Sequence, residues 1–292
     1  MTTNNDPLVQ HLAELCVELD KNDVSVILGG GMGLYLRRKL FSARVPRYPF
    51  DPVVRSTADL DLFLSSKLIV DPKKVTSLKE SLLRLKYDVN PDAKNFQFIK
   101  TVTLPEGDRE IKIDLLSAPP EAADLKKVKI SEPRIRPKGV DGIHAYLTEE
   151  AEGIEIGKQP VDLATLDAGA KPKNQILYLP SAYNFLILKL NAFDDRKDDE
   201  DKDNGRHHAF DIFSTVVRMN EADWDIARKH LAAQKGRPYL EKTIAIRKDN
   251  FELSSARGSI RLRENVSYRT DKSTYDAYLD NFLSDLSELF PA

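Results

Sequence analysis

Val24-Ser25-Val26-Ile27-Leu28-Gly29-Gly30-Gly31 and, further on, Ala58-Asp59-Leu60-Asp61-Leu62-Phe63-Leu64 decide how this chain is read. Val24 to Leu28 is a short apolar run stopped by glycines, the signature of a buried strand. Met32, Leu34, Tyr35, Leu36 and Leu40, interleaved with Arg37, Arg38 and Lys39, predict a helix after the glycine turn. Residues 58–64 alternate strictly, as a half-buried strand does. Successive side chains leave a strand on opposite faces, so Leu60, Leu62 and Leu64 anchor one face while Asp59 and Asp61 share the other. A strand, a glycine turn, a helix and an acidic strand in that order predict a mixed α/β fold.

Working outward, Leu8, Leu12, Leu15, Cys16 and Leu19 are spaced like one face of a helix, with Asp6-Pro7 as its cap and first position. Cys16 on that face reads as a small core residue. A proline-bearing insertion (Pro46, Pro49, Pro52) precedes the acidic strand. Residues 71–87 predict a helix, and 95–104 and 110–116 predict two strands joined by a turn at Pro105 to Asp108. Residues 118–142 read as an exposed connection, and Gly153 to Ile156 and Val161 to Leu166 as short strands. From Ser181 the pattern is helical, over 183–193, 209–219, 222–233 and 275–290. The expected organisation is an α/β (α+β) domain over residues 1–179, a mixed sheet with flanking helices, followed by a helical domain over 180–292 that completes the active-site cleft.

The 292 residues carry 44 Lys+Arg against 46 Asp+Glu, a formal charge of −2, so no global basic field draws in nucleic acid. With 41% hydrophobic and 31% charged residues the chain can bury a sizeable core. A single cysteine excludes an intrachain disulfide and any cysteine-based zinc cluster. No apolar run reaches the roughly 18 residues of a membrane span, and the first residues lack the features of a signal peptide. No membrane partner and a cytoplasmic location are therefore expected.

The chemistry concentrates on carboxylates. Asp59 and Asp61 repel one another unless solvated or neutralised by a cation. Oxygen ligands of this kind suit Mg²⁺ or Mn²⁺. Asp114, in Glu110-Ile111-Lys112-Ile113-Asp114, adds a third carboxylate if its strand lies beside the first, and such a set can hold divalent ions across a phosphate. The competing reading is a solvated strand face. Gly29 and Gly30 let the backbone approach phosphates, and the following helix N-terminus favours an anion.

Taken together, Leu28-Gly29-Gly30, the intervening helix, Asp59-Leu60-Asp61 and Asp114 resemble the nucleotidyltransferase fold of the DNA polymerase β superfamily. Arg55-Ser56-Thr57-Ala58-Asp59-Leu60-Asp61 is similar to the Arg-x-Thr-x-Asp-x-Asp of AbiEii-like nucleotidyltransferases, many of them toxins of type IV toxin–antitoxin systems. Lys189-Leu190-Asn191-Ala192 with Arg196, and then His207-His208-Ala209-Phe210-Asp211, match that family's helical segments. Here 197–205 is inserted, and His208 stands where the family has Asp.

The resemblance implies an Mg²⁺- or Mn²⁺-dependent nucleotidyltransferase using an NTP. Asp59, Asp61 and Asp114 would hold metal, and Lys189 and Asp211 would join them as catalytic groups. Gly29, Gly30, Arg55, Thr57, Lys189, Arg196 and His208 would contact the nucleotide. The acceptor implied is RNA, tRNA in particular, with a protein antitoxin as a further partner. A small-molecule acceptor such as an antibiotic, or a non-catalytic nucleotide- or RNA-binding module, are the alternatives. No acid is evident near Lys189 in its own helix, so it reads either as a triphosphate contact or as a paired structural lysine. The basic stretches Arg37 to Arg47 and Lys126 to Lys138 read either as exposed surface or as contacts for RNA phosphates. The acidic run Asp194 to Asp203 reads as a solvated loop.

Overall fold

The computed structural model describes residues 7–41, 47–53, 57, 59–93, 95–104 and 107–292. The chain is mixed α/β, and it folds as two compact units. The first takes in Met1–Gly33, Ser56–Glu149 and Lys158–Pro180, the second Leu34–Arg55, Glu150–Gly157 and Ser181–Ala292.

The first unit begins with α1 (Pro7–Asp20), whose Leu8, Leu12, Leu15, Cys16 and Leu19 are buried as their helical spacing requires. Its cap at Asp6 lies outside the described residues. β1 (Val26–Leu28) follows, and α2 (Gly30–Phe41) starts directly on the glycines. Then come β2 (Asp59–Leu64), the short α3 (Ser66–Ile69) and α4 (Pro72–Arg84). Asp71 caps α4 by accepting from the Lys73 and Lys74 amides, with proline at the first position. β3 (Asp88–Val89), β4 (Gln97–Leu104) and β5 (Gly107–Ser117) complete the central strands, and β4 and β5 form the expected antiparallel hairpin.

The register of the sheet positions the acidic residues. β2 runs antiparallel to β1 and parallel to β5. Leu60, Leu62 and Leu64 stand beside Ile113, Leu115 and Ser117, and all six are buried. The pleat therefore commits Asp59 and Asp61 of β2, with Lys112 and Asp114 of β5, to the opposite face.

Residues 118–142 are not an exposed connection. They hold a 3-10 turn at Ala122–Lys127 and a hairpin of β6 (Val128–Ser131) and β7 (Arg134–Pro137), which joins the sheet through β8 (Ala145–Leu147). Val128 and Ile135 are buried there, an inward face concealed in the sequence by the surrounding prolines and charges. The strands expected at 153–156 and 161–166 are instead turns and a 3-10 segment at Leu163–Thr165. The strands of this region are β9 (Gln159–Pro160) and β10 (Leu177–Leu179), and β10 lies parallel to β1.

The second unit is built from α5 (Ala182–Arg196), α6 (Arg206–Val216), α7 (Glu221–Gln234) and α8 (Pro238–Phe251). α9 (Arg257–Glu264), α10 (Val266–Arg269), α11 (Lys272–Ala277) and α12 (Leu279–Leu289) follow. The helix expected over 275–290 is thus divided near Tyr278, and α8 to α10 were not anticipated. The buried face of α8 carries Thr243, Arg247 and Asn250, which masks its apolar period. The acidic run folds as the end of α5 and a 3-10 turn, Glu200–Gly205, tied down by Lys197–Asp194 and Arg257–Asp198 ion pairs. The core centres on Phe213, whose ring packs against Phe50, Tyr268, Tyr275 and Phe282.

Candidate functional site: a carboxylate face beside a glycine turn

Asp61 of β2 is the register partner of Asp114 of β5, and Asp59 is the partner of Lys112. Neighbouring strands lie about 4.8 Å apart and same-face residues of one strand roughly 6.7 Å apart. The three expected carboxylates are therefore brought onto one patch of the first unit. Among the described residues no three acidic, histidine or cysteine side chains close around a common point, so the carboxylates line the strands without forming a finished cage.

Asp114 is held in place. The Gln97 Nε2 donates to Asp114 Oδ1 at 2.7 Å, and Asn90 Nδ2 donates to Gln97 Oε1 at 2.6 Å. Sequence reasoning missed Gln97, Asn90 and Lys112. Only the pairing of β4 with β5 places Gln97 opposite Asp114. Burial pushes the Asp114 carboxyl above the usual carboxylate range; the Gln97 bond pulls it down, the Asp59 charge raises it, and Lys112 lowers it.

The glycine turn has a definite steric role. Gly30 has φ +58°, and a Cβ there would overlap the Asp61 carboxylate. Glycine adopts this left-handed conformation without penalty, and its missing side chain is what leaves room for Asp61. A Cβ on Gly29 would run into the Phe63 ring, while the Gly29 amide donates to the Asp61 carbonyl at 2.8 Å. Thr57 lies against Gly31, and its Oγ1 accepts from the Asp59 amide at 3.3 Å. Arg109, another residue the sequence did not single out, reaches the Thr57 carbonyl at 3.5 Å. Arg55 lies outside the described residues.

The remaining expected site residues belong to the second unit. Lys189 of α5 and Asp211 of α6 are both buried, and Lys189 Nζ stands 2.7 Å from Asp211 Oδ2. The lysine thus has an acidic partner that its own helix did not supply. Arg196 contacts His208 Nε2, which places those two together as well. His207 is exposed and sits 3.4 Å from Asp203.

A divalent cation fits the carboxylate face in its donor chemistry: hard oxygens on one side of the sheet, one of them seated where a Cβ is missing. Asp59, Asp61 and Asp114 are the residues available to hold it.

No protein-family model matches the sequence, and no curated protein matches it. Among solved structures, the chain is similar to an antigenic nucleotidyltransferase-like protein from Paracoccidioides brasiliensis. That likeness has 14% identity, covers 94% of this chain and 93% of that one, and has a TM-score of 0.41. A candidate nucleotidyltransferase from H. pylori matches at 11% identity over 98% of each chain, with a TM-score of 0.30. Likenesses this distant carry no weight on activity, which rests on the residues themselves.

Proposed function

We propose that the chain is a divalent-metal-dependent nucleotidyltransferase, moving a nucleoside monophosphate from an NTP to an acceptor hydroxyl. The observation that carries this reading is the register of Asp61 with Asp114, on the face shared by Asp59 and against the Gly29-Gly30 turn. Asp59 and Asp61 would hold Mg²⁺ or Mn²⁺, with Asp114 sharing it. The cation, when bound, supplies positive charge against the phosphates. Asp114 would take the acceptor proton, its orientation fixed by the Gln97 hydrogen bond. The acceptor oxygen then bonds to the α-phosphorus as the bond to the β-phosphate oxygen breaks, and pyrophosphate leaves. Gly29, Gly30 and Thr57 would face the nucleotide.

RNA is the proposed acceptor, with tRNA and a toxin role as its finer form. What supports RNA is the basic segment Lys126 to Lys138, where Lys126 and Lys129 are exposed. The test is incubation with each labelled NTP, Mg²⁺ and total RNA, followed by gel analysis, beside Asp59→Ala and Asp61→Ala. Label should enter RNA with the wild type, and each variant should lose roughly a thousandfold or more in rate, about 4 kcal/mol. Near-wild-type transfer by either variant would sink the metal assignment. Label entering only a small molecule would move the acceptor to that class, and metal-dependent NTP binding without turnover would make the chain a binding module.

A further inference from the structure

Asn90, Gln97, Asp114 and Asp61 stand in one rank across the sheet of the first unit. β3 pairs with β4 through Val89 and Phe98, so Asn90, the next residue along, comes opposite Gln97. The backbone agrees, since the Asn90 amide donates to the Gln97 carbonyl at 2.9 Å. Gln97 is in turn the register partner of Asp114, and Asp114 of Asp61. Direct partners in a sheet leave it on the same face, so this rank runs across the carboxylate face. Asn90 lies two strands away from Asp114, roughly 10 Å, too far for direct contact.

The hydrogen bonds along this rank have a direction. A side-chain amide carries a donor at one corner and an acceptor at the other, and its neighbours decide which way it turns. A backbone amide has no such choice, because it can only donate. The Asp92 amide, in the 3-10 turn Pro91–Ala93, donates to Asn90 Oδ1 at 3.1 Å. Asn90 must therefore turn its Nδ2 toward Gln97, where it donates to Oε1 at 2.6 Å. Gln97 is left with its Nε2 toward Asp114, and donates to Oδ1 at 2.7 Å. A turn at the far end of the rank thus ensures that Asp114 meets a donor. A donor holds a carboxylate in place, where an acceptor would repel it.

We propose that Asn90 and Gln97 are positioning residues for a divalent cation, a directed pair of amides that fixes the Asp114 carboxylate to share the cation with Asp59 and Asp61; this rests on the metal role proposed for the carboxylate face. Neither amide is itself a ligand. Groups that orient a metal's ligands typically contribute about 10–100-fold to its affinity. Direction separates this device from ordinary packing. Asn90→Asp keeps the size of the side chain and an oxygen for the Asp92 amide, but it presents a second oxygen to Gln97. Gln97 must then reverse, and its Oε1 faces the Asp114 carboxylate. The chain therefore predicts weaker metal binding in Asn90→Asp. Charge alone predicts the opposite, because an added carboxylate attracts a cation.

The test is titration of the full chain with Mn²⁺ near neutral pH, reading the free ion by electron paramagnetic resonance, with urea denaturation of each variant beside it. The wild type should bind Mn²⁺, and Asp59→Asn should weaken that binding, which places the ion on the carboxylate face. Gln97→Met and Asn90→Asp should each weaken binding about tenfold while the chain stays folded. In the Gln97→Met background, Asn90→Asp should bring no further loss, because the link it acts through is gone. Unchanged or tighter binding in Asn90→Asp overturns the positioning role and leaves the metal reading standing, as do additive losses in the double variant. If Gln97→Met does not fold, the sign of the Asn90→Asp effect decides by itself. A wild type that binds no Mn²⁺, or binds it no better than Asp59→Asn does, overturns the metal reading and the positioning role with it.

Discussion

A Cβ on Gly30 would overlap the Asp61 carboxylate, and the residue's φ of +58° disfavours any side chain before that overlap is counted. Gly30→Ala should therefore destabilise the chain by about 1–3 kcal/mol, through backbone strain and overpacking. It should also weaken Mg²⁺ binding, because relief of the overlap requires Asp61 to move. Chemical denaturation and metal titration of the same variant check both parts, and unchanged metal affinity in a destabilised variant would separate the glycine from the site. Lys189 and Asp211 present a different case, since they form an ion pair in a buried place. Lys189→Met alone should destabilise the chain by roughly 3–5 kcal/mol, because it removes the cation 2.7 Å from a buried carboxylate, whereas Lys189→Met with Asp211→Leu should recover most of that loss. Transfer activity in the recovered double variant decides the lysine's role: full turnover would make the pair structural, and loss of NTP use in a stable protein would support the triphosphate reading.

Among elements, the β6–β7 hairpin bears most directly on the acceptor. Its outer strand presents Lys129 to solvent, a charge that also discourages edge-to-edge association of strands. Not every basic residue nearby is available for RNA. Lys127 is paired with Asp124 at 2.7 Å, and Arg136 is engaged by Asp141 at 3.0 Å and by the Val140 carbonyl. Neutralising Lys126, Lys127 and Lys129 together should therefore flatten the salt dependence of RNA binding by roughly two slope units, one for each unpaired lysine lost. NTP binding should be unaffected. A salt series of RNA affinity for wild type and triple variant checks this, and identical slopes would remove the hairpin from the acceptor surface.

Across the molecule, the pH dependence of stability should carry the mark of His230. Its ring is fully buried, meets the Tyr239 hydroxyl at 2.9 Å and packs on Tyr183. Burial lowers it from 6.5 to about 4. The unfolded chain therefore binds more protons between these values, so the contribution is complete above pH 6.5 and lost as pH falls toward 4. The loss is about 3 kcal/mol over that window. Denaturation of the wild type and His230→Gln from pH 7.5 to 4.5 should show a steeper decline in the wild type. Parallel curves would assign the acid sensitivity to the carboxylates held in ion pairs, such as Glu18 and Asp276.

What the sequence determined by itself is whatever local periodicity specifies. The apolar face of α1, the glycine stop after β1 and the alternation of β2 and β5 follow from the geometry of one helix or strand. The common face of Asp59 and Asp61 is a necessity of the pleat. The mixed α/β class followed from the order of those elements. Only the tertiary structure decided which distant residues meet: Asp61 beside Asp114, Gln97 on Asp114, Lys189 on Asp211, and two arginines on the single carboxylate of Asp51. It also turned residues 118–142 from a connection into sheet, because two buried side chains, Val128 and Ile135, outweigh the polar residues around them once a neighbouring strand is present. The physical reason is the same in each case. Pairing and burial are properties of two segments at once, and a reading that proceeds along one chain sees only one of them.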